Sequence, residues 1–166
     1  MARAPRVLCR ARGFPAVAGR RPKVLILGSL PGAASIRLGQ YYGHPQNKFW
    51  ELLGAALGED LRSLSYARRL ARLKKRGVAL WDVIAEADRP GSLDSAIRDE
   101  AHNGILGLVR RTGVRAVFVN GAKAQSALRR CAPEVRAVRL PSSSPANASV
   151  PWAAKVRAWR RIRRYL

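Results

Sequence analysis

Four short apolar runs, each halted by a glycine, a proline or a polar residue, most constrain what this chain can fold into. They are Lys23-Val-Leu-Ile-Leu-Gly28, Gly77-Val-Ala-Leu-Trp-Asp-Val-Ile84, Val114-Arg-Ala-Val-Phe-Val-Asn-Gly121 and Val135-Arg-Ala-Val-Arg-Leu140, the last stopped by Pro141. Short runs that are largely continuous in apolar character mark strands covered on both faces. Between them lie helix-period segments at 47–57, 63–75, 99–112 and 122–131. A final amphipathic segment begins with Pro151 at a first-turn position and runs to Tyr165. Strands alternating with helices require right-handed crossovers. The expected fold class is therefore α/β, a three-layer α/β/α domain around a four-stranded, mainly parallel sheet. A length of 166 residues with 48% apolar content suits one domain with a sizeable core. That domain is expected over 23–166. Residues 1–22 read as a basic arm, punctuated by prolines and glycines, that either covers a sheet edge or stays mobile.

Charge sets the partner class. There are 32 Lys and Arg against 10 Asp and Glu, a formal net charge of +22. The basic groups concentrate in the first 23 residues, in 62–76, and from Lys155 to Arg164, where they interleave with Trp152, Trp159 and Tyr165. A GC-rich genome accounts for Arg in place of Lys, but not for the missing acids. A single-sign field of this size points to a polyanion, and nucleic acid is the commonest one. Two cysteines, Cys9 and Cys131, cannot furnish a disulfide framework or a four-cysteine metal or iron–sulfur site. Two histidines without ligand spacing give no metal motif. No apolar run approaches the ~20 residues needed to span a bilayer. The Arg-rich start has no secretory apolar core. An organellar presequence would look similar, but the same Ala/Arg bias runs through the whole chain, so the expected location is the bacterial cytoplasm, near the nucleoid.

In open parallel sheets the site lies at the C-terminal ends of the strands. Here those ends carry Gly28, Ser29, Leu30, Pro31 and Gly32; then Asp82; then Asn120; then Ser142, Ser143, Ser144, Pro145, Ala146 and Asn147. The Gly28–Gly32 loop can bind anions through backbone N–H groups or be a plain tight turn. It lacks the Gly-Lys-Ser/Thr ending of a nucleotide P-loop. The stretch Gln40-Tyr-Tyr-Gly-His-Pro-Gln-Asn-Lys-Phe-Trp50 is richer. Pro45 keeps His44 extended, Asn47 is placed to cap the following helix, and Phe49 and Trp50 read equally well as core residues.

These motifs resemble the uracil-DNA glycosylase superfamily, most closely its hypoxanthine-DNA glycosylase branch. The resemblance rests on Gly28-Ser-Leu-Pro-Gly32, Tyr41-Tyr-Gly-His-Pro-Gln-Asn-Lys-Phe-Trp50 and Pro141-Ser-Ser-Ser-Pro-Ala-Asn147, and spans 23–165. The His-Pro-x-Asn-x-Phe-Trp element is shared with mismatch-specific uracil glycosylases. Leu30 and Ser29 stand where other branches keep a catalytic Asn or acid, and leucine cannot orient water. The resemblance therefore moves that task to Asn47. It implies a monofunctional glycosylase without cofactor or metal, acting on DNA that holds a deaminated base, hypoxanthine first and uracil as the alternative. A monomer is expected. A non-catalytic nucleic-acid binder on the same fold is the competing class.

The resemblance also distributes roles. Phe49 is the platform on which a flipped base stacks, an interaction of roughly 1–3 kcal/mol. Asn47 and Asn120 are the candidate catalytic amides. Asp82 either reads the base edge or caps a loop; from the residues themselves, Tyr41 and Tyr42 either wall the pocket or pack the loop, one of each being expected, with Tyr42 on the pocket. His44 either touches phosphate or leaving base, or is structural. Ser142, Ser143 and Ser144 press on the DNA backbone, and Pro145, Ala146 and Asn147 wedge into the gap left by the base. Lys48 stays a phosphate or solvent contact.

Overall fold

The computed structural model describes residues 10–166; Cys9 and the first part of the expected arm lie outside the described residues. The elements in chain order are β1 (Arg10–Arg12), β2 (Val24–Gly28), α1 (Ala33–Leu38), α2 (Phe49–Leu57), α3 (Tyr66–Arg76), β3 (Val78–Asp82), β4 (Ile84–Asp88), β5 (Arg98–His102), α4 (Ile105–Thr112), β6 (Ala116–Asn120), α5 (Ala122–Cys131), β7 (Ala137–Leu140) and α6 (Trp152–Trp159). A 3-10 turn at Asp94–Ala96 precedes β5, and another at Arg160–Tyr165 ends the chain.

The four expected strands form one parallel sheet in the order β3-β2-β6-β7. Its central strand β2 is buried throughout because successive side chains feed two different cores. Val24 and Ile26 join Phe49, Leu52, Leu53, Leu73 and Trp159 under α2, α3 and α6. Leu25 and Leu27 join Ile105, Leu108, Ala124 and Leu128 under α4 and α5. A strand with two covered faces has no polar alternation to show, which is why its sequence reads as a continuous apolar run.

Three parts of the chain depart from the expected pattern. The run Gly77–Ile84 is not one strand: β3 ends at Asp82, and Ile84 opens β4 in a separate antiparallel sheet of order β1-β4-β5. The expected helix over 99–112 begins only at Ile105, since Arg98–His102 is a strand paired with β4. The short helix α1 adds a turn before the Tyr41–Trp50 stretch.

Residues 10–22 run against the domain. β1 pairs with β4. Val17 exchanges two backbone hydrogen bonds with Leu80, each 2.8 Å, which covers the outer edge of β3. Among the described residues, no helix is long and apolar enough to cross a membrane.

Candidate active site

The parallel register brings the strand ends level. Gly28 pairs with Asp82 across β2 and β3, and Asn120 pairs with Leu140 across β6 and β7. Above them opens a cleft of about 670 Å³, the size range of small-molecule sites. The 28–32 loop, the 41–47 stretch, the turn at Ser92–Asp94 and the Pro141–Asn147 loop form its walls. Gly28, Ser29, Leu30, Pro31, Gly32, Tyr42, His44, Asn47, Asp82 and Asn120 all line it, as do Ser142 to Asn147. Lys48 is not among the lining residues and pairs with Glu51 at 3.2 Å.

Phe49 does not reach the cleft. It is fully buried, and the ring of Tyr42 lies flat on it, centroids 3.7 Å apart and planes within 7°. Trp50 and Trp159 close on it edge-on. The open aromatic face expected from Phe49 is therefore covered, and the aromatic side chains that line the cleft are Tyr41 and Tyr42. Tyr42 holds this position in a left-handed backbone conformation (φ 53°), which a bulky residue adopts only when packing over-determines it. Its hydroxyl meets the Asn120 side chain, and burial pushes its pKa up.

Asn47 does two things at once. Its Oδ1 accepts the Phe49 N–H at 3.0 Å, satisfying one orphan donor of α2 from just before the Lys48 N-cap position, one residue earlier than expected, while the residue lines the cleft. The hydrogen bond fixes the plane of the amide, and the same oxygen keeps a second lone pair. His44 Nδ1 accepts the Gln46 N–H at 3.1 Å, so the neutral ring carries its proton on Nε2.

The Pro141–Asn147 loop is clamped to the sheet by Asn120. Asn120 Nδ2 donates to Ser143 Oγ at 2.8 Å, and its Oδ1 accepts the Ser143 N–H at 2.9 Å. Ser143 is fully buried, and its carbonyl accepts the Lys48 N–H. The expectation that Ser143 touches the DNA backbone is corrected: it anchors the loop from below. Pro145 and Ala146 form the exposed tip, and Asn147 is tied back by Nδ2 to the Ser142 carbonyl at 3.2 Å.

The opposite wall rests on residues that the sequence did not flag. Arg89 is buried, 3% exposed, and its guanidinium donates to the carbonyls of Leu30, Pro31 and Gly91. Ser29 Oγ donates to Asp94, and Ser92 Oγ caps α1 by accepting the Ala33 N–H at 3.0 Å. Leu30 packs into the core beneath α4 and α5. A Cβ at residue 28 would sit 2.7 Å from the Tyr42 hydroxyl and press on the Asp82 carboxylate, so a larger residue there would displace both side chains from the cleft floor. Burial drives the Asp82 carboxyl up to about 7, helped by the Asp94 charge and opposed by Arg89. Sequence reading missed Arg89 and Asp94 because one buried Arg among so many looks like any other, and the loop holding them has no apolar period.

Comparison with known proteins places the chain in a family. The chain is 46% identical over 140 residues to the hypoxanthine DNA glycosylase of Methanosarcina acetivorans, which covers 82% of this chain and 87% of that protein. It is 51% identical over 94 residues to the hypoxanthine DNA glycosylase of Methanosarcina barkeri, covering 57% of this chain and 60% of that one. The solution structure of a candidate uracil DNA glycosylase from Methanosarcina acetivorans superposes with a TM-score of 0.78 at 40% identity, over 93% of this chain and 99% of the other. The family model for the uracil DNA glycosylase superfamily matches residues 14–164, nearly the whole described domain. With its strand-end loops gathered round one cleft, the chain belongs to the uracil DNA glycosylase superfamily.

Proposed function

We propose that the protein is a monofunctional DNA glycosylase that takes a flipped hypoxanthine into the cleft and hydrolyses its N-glycosidic bond. The observation that carries the reading is the convergence of Asn47, Tyr42, Asp82 and Asn120 on one cleft at the strand ends. The names of the two archaeal relatives support the choice of base.

A base stacked in duplex DNA is out of reach, and extruding it costs a few kcal/mol. The Tyr42 ring offers the departing base a flat π surface, which offsets part of that cost. Asn47, its amide plane held by the Phe49 N–H, accepts a hydrogen bond from a water on its free lone pair and aims it at C1′. As the glycosidic bond breaks, the sugar takes on cationic character and the base leaves with the electron pair. A neutral amide is a weak base, so positioning and electrostatics supply most of the acceleration. Asn120 serves by holding Ser143, and thereby the loop tip, over the cleft mouth.

The test is release of free base, under single-turnover conditions at low salt, from matched oligonucleotides carrying deoxyinosine or deoxyuridine. Hypoxanthine released faster than uracil is the expected result. Uracil released faster reverses the substrate, and release of neither base leaves a non-catalytic nucleic-acid binder.

A further inference from the structure

At the floor of the cleft lies a carboxyl group with an oxygen that nothing satisfies. Asp82 is 3% exposed at the end of β3, lines the cleft, and its Oδ2 is buried without a hydrogen-bond partner. Its position is not loose: the Asn103 side chain donates to its carbonyl at 2.8 Å, and Gly28 leaves the carboxylate its space. The charged and titratable groups facing it are Tyr41 and Tyr42 from the 41–47 stretch, Asp94 from the turn before β5, and Arg89 from the end of β4. Arg89 is the one cation among them, and its guanidinium is committed to three backbone carbonyls. An ionised carboxylate at this point would be desolvated, unpaired and close to a second acid.

We propose that Asp82 enters the reaction as a neutral carboxyl and donates its hydrogen to the oxo group of the departing base. The inference rests on the glycosylase reading and assigns Asp82 as the acid of that same site. As the C1′–N9 bond breaks, its electron pair passes into the purine and charge collects on O6. The carboxyl proton moves to O6, the base leaves neutral and returns to its oxo tautomer in water, and Asp82 is left as carboxylate. Water forms the new C1′–O bond and loses a proton, which restores the Asp82 carboxyl through solvent. An ionised Asp82 would instead oppose the charge growing on the base. Burial and the Asp94 charge hold its pKa near 7, so the acid form is available at neutral pH.

The experiment is single-turnover hypoxanthine release by the full chain at saturating enzyme, from pH about 5.5 to about 8.5, for wild type, Asp82→Asn and Asp82→Ala. The wild-type rate is expected to be level at low pH and to fall toward tenfold per pH unit above about 7. Asp82→Asn keeps a hydrogen-bond donor but has no proton to give, so its profile becomes flat and its rate at pH 6 drops about 10- to 100-fold. Asp82→Ala is expected to be slower still and equally flat. A wild-type profile flat to pH 8.5, or an Asn variant that keeps the wild-type decline, overturns the proposal. A wild-type chain that releases no hypoxanthine at any pH defeats the glycosylase reading itself. Thermal melts of both variants separate lost chemistry from lost fold.

Discussion

On the proposed reading Asn47 joins folding and chemistry in one side chain, and its substitutions pull the two apart. Its Oδ1 caps the Phe49 N–H, so Asn47→Ala is expected to cost about 0.5–2 kcal/mol of stability. Asn47→Asp retains the acceptor and should melt close to wild type. If the amide also positions the attacking water, Asn47→Ala loses at least about 10²-fold in single-turnover rate, far more than its stability loss removes in folded protein. Leu30→Ala is the control, since Leu30 is core and not a polar catalyst; it should lower the melting temperature and keep most of the rate. Equal rate losses in the two variants would make Asn47 a cap and nothing more. Asp82 adds a stability prediction with a definite sign. Its folded pKa, raised by burial to about 7, lies above the unfolded value of 3.8. Between these values the folded state holds a proton that the unfolded state has lost, so stability declines as pH rises toward 7. Asp82→Asn removes that titration. Its melting temperature should therefore gain on wild type as pH rises from about 5 to about 8, and a constant gap would contradict the burial argument.

At the scale of elements, the site is a set of loops held by struts. Arg89 braces the 28–32 loop through three carbonyls from a buried position. Arg89→Lys keeps the charge but not the planar fork that reaches several acceptors. It is expected to lower stability by about 1–3 kcal/mol and to raise KM more than it lowers kcat, because the loop walls the cleft without performing chemistry. Near Asp94 in that wall, Glu100 gathers Lys123, Arg130 and His102. Burial pushes its pKa up, but hydrogen bonds from Lys123, Arg130 and His102 outweigh this and hold it at about 2. Its stabilisation is full above the ordinary glutamate range and is lost as pH falls toward 2. Glu100→Gln should therefore melt lower than wild type at pH 7 and approach it at about pH 2. The strands β2, β3 and β6 were legible because burial on both faces writes itself as nearly continuous apolar sequence, and the edge strand β7 by its short run halted at Pro141. The second sheet was not. Arg10–Arg12, Ile84–Asp88 and Arg98–His102 are rich in charged side chains, and Arg10 and Arg12 of β1 reach Glu86 of β4 at 2.7 and 3.2 Å. Charged strands carry no apolar period, so the 3.6-residue pattern of Ile105 and Leu108 ran backwards over β5 and predicted too long a helix. The cleft residues were legible as motifs, but their partnerships were not. Neither Tyr42 lying over Phe49 nor Ser143 turned inward against Asn120 can be read from spacing alone.

At the scale of the whole molecule, the excess of positive charge divides into two populations with different work. Some arginines are structural. Arg163 donates to the carbonyls of Ala55 and Ala56, and Arg76 to that of Leu57, so the exposed carbonyl end of α2 is closed by cations brought from α3 and the C-terminal turn. Arg69 bonds the carbonyls of Leu61, Arg62 and Leu64 and lies over the Trp50 ring, 5.2 Å from its centroid. Arg139 differs. It is exposed on the edge strand β7, lines the cleft beside the Pro141–Asn147 loop, and has no ion pair among the described residues. Binding to DNA releases one set of condensed counterions for each phosphate neutralised, with log K falling against log salt at about −0.9 per contact. Arg139→Ala is therefore expected to weaken binding of a duplex about equally for all sequences and to make the salt slope shallower by about 1, with its melting temperature unchanged. Arg163→Ala should do the reverse, lowering the melting temperature while leaving the slope within error. Fluorescence anisotropy across a salt series, run with melts on the same samples, reads both quantities. If Arg163→Ala also flattened the slope, the carbonyl contacts would not be what that arginine is for, and the division of the charge into clamp and phosphate reader would fall.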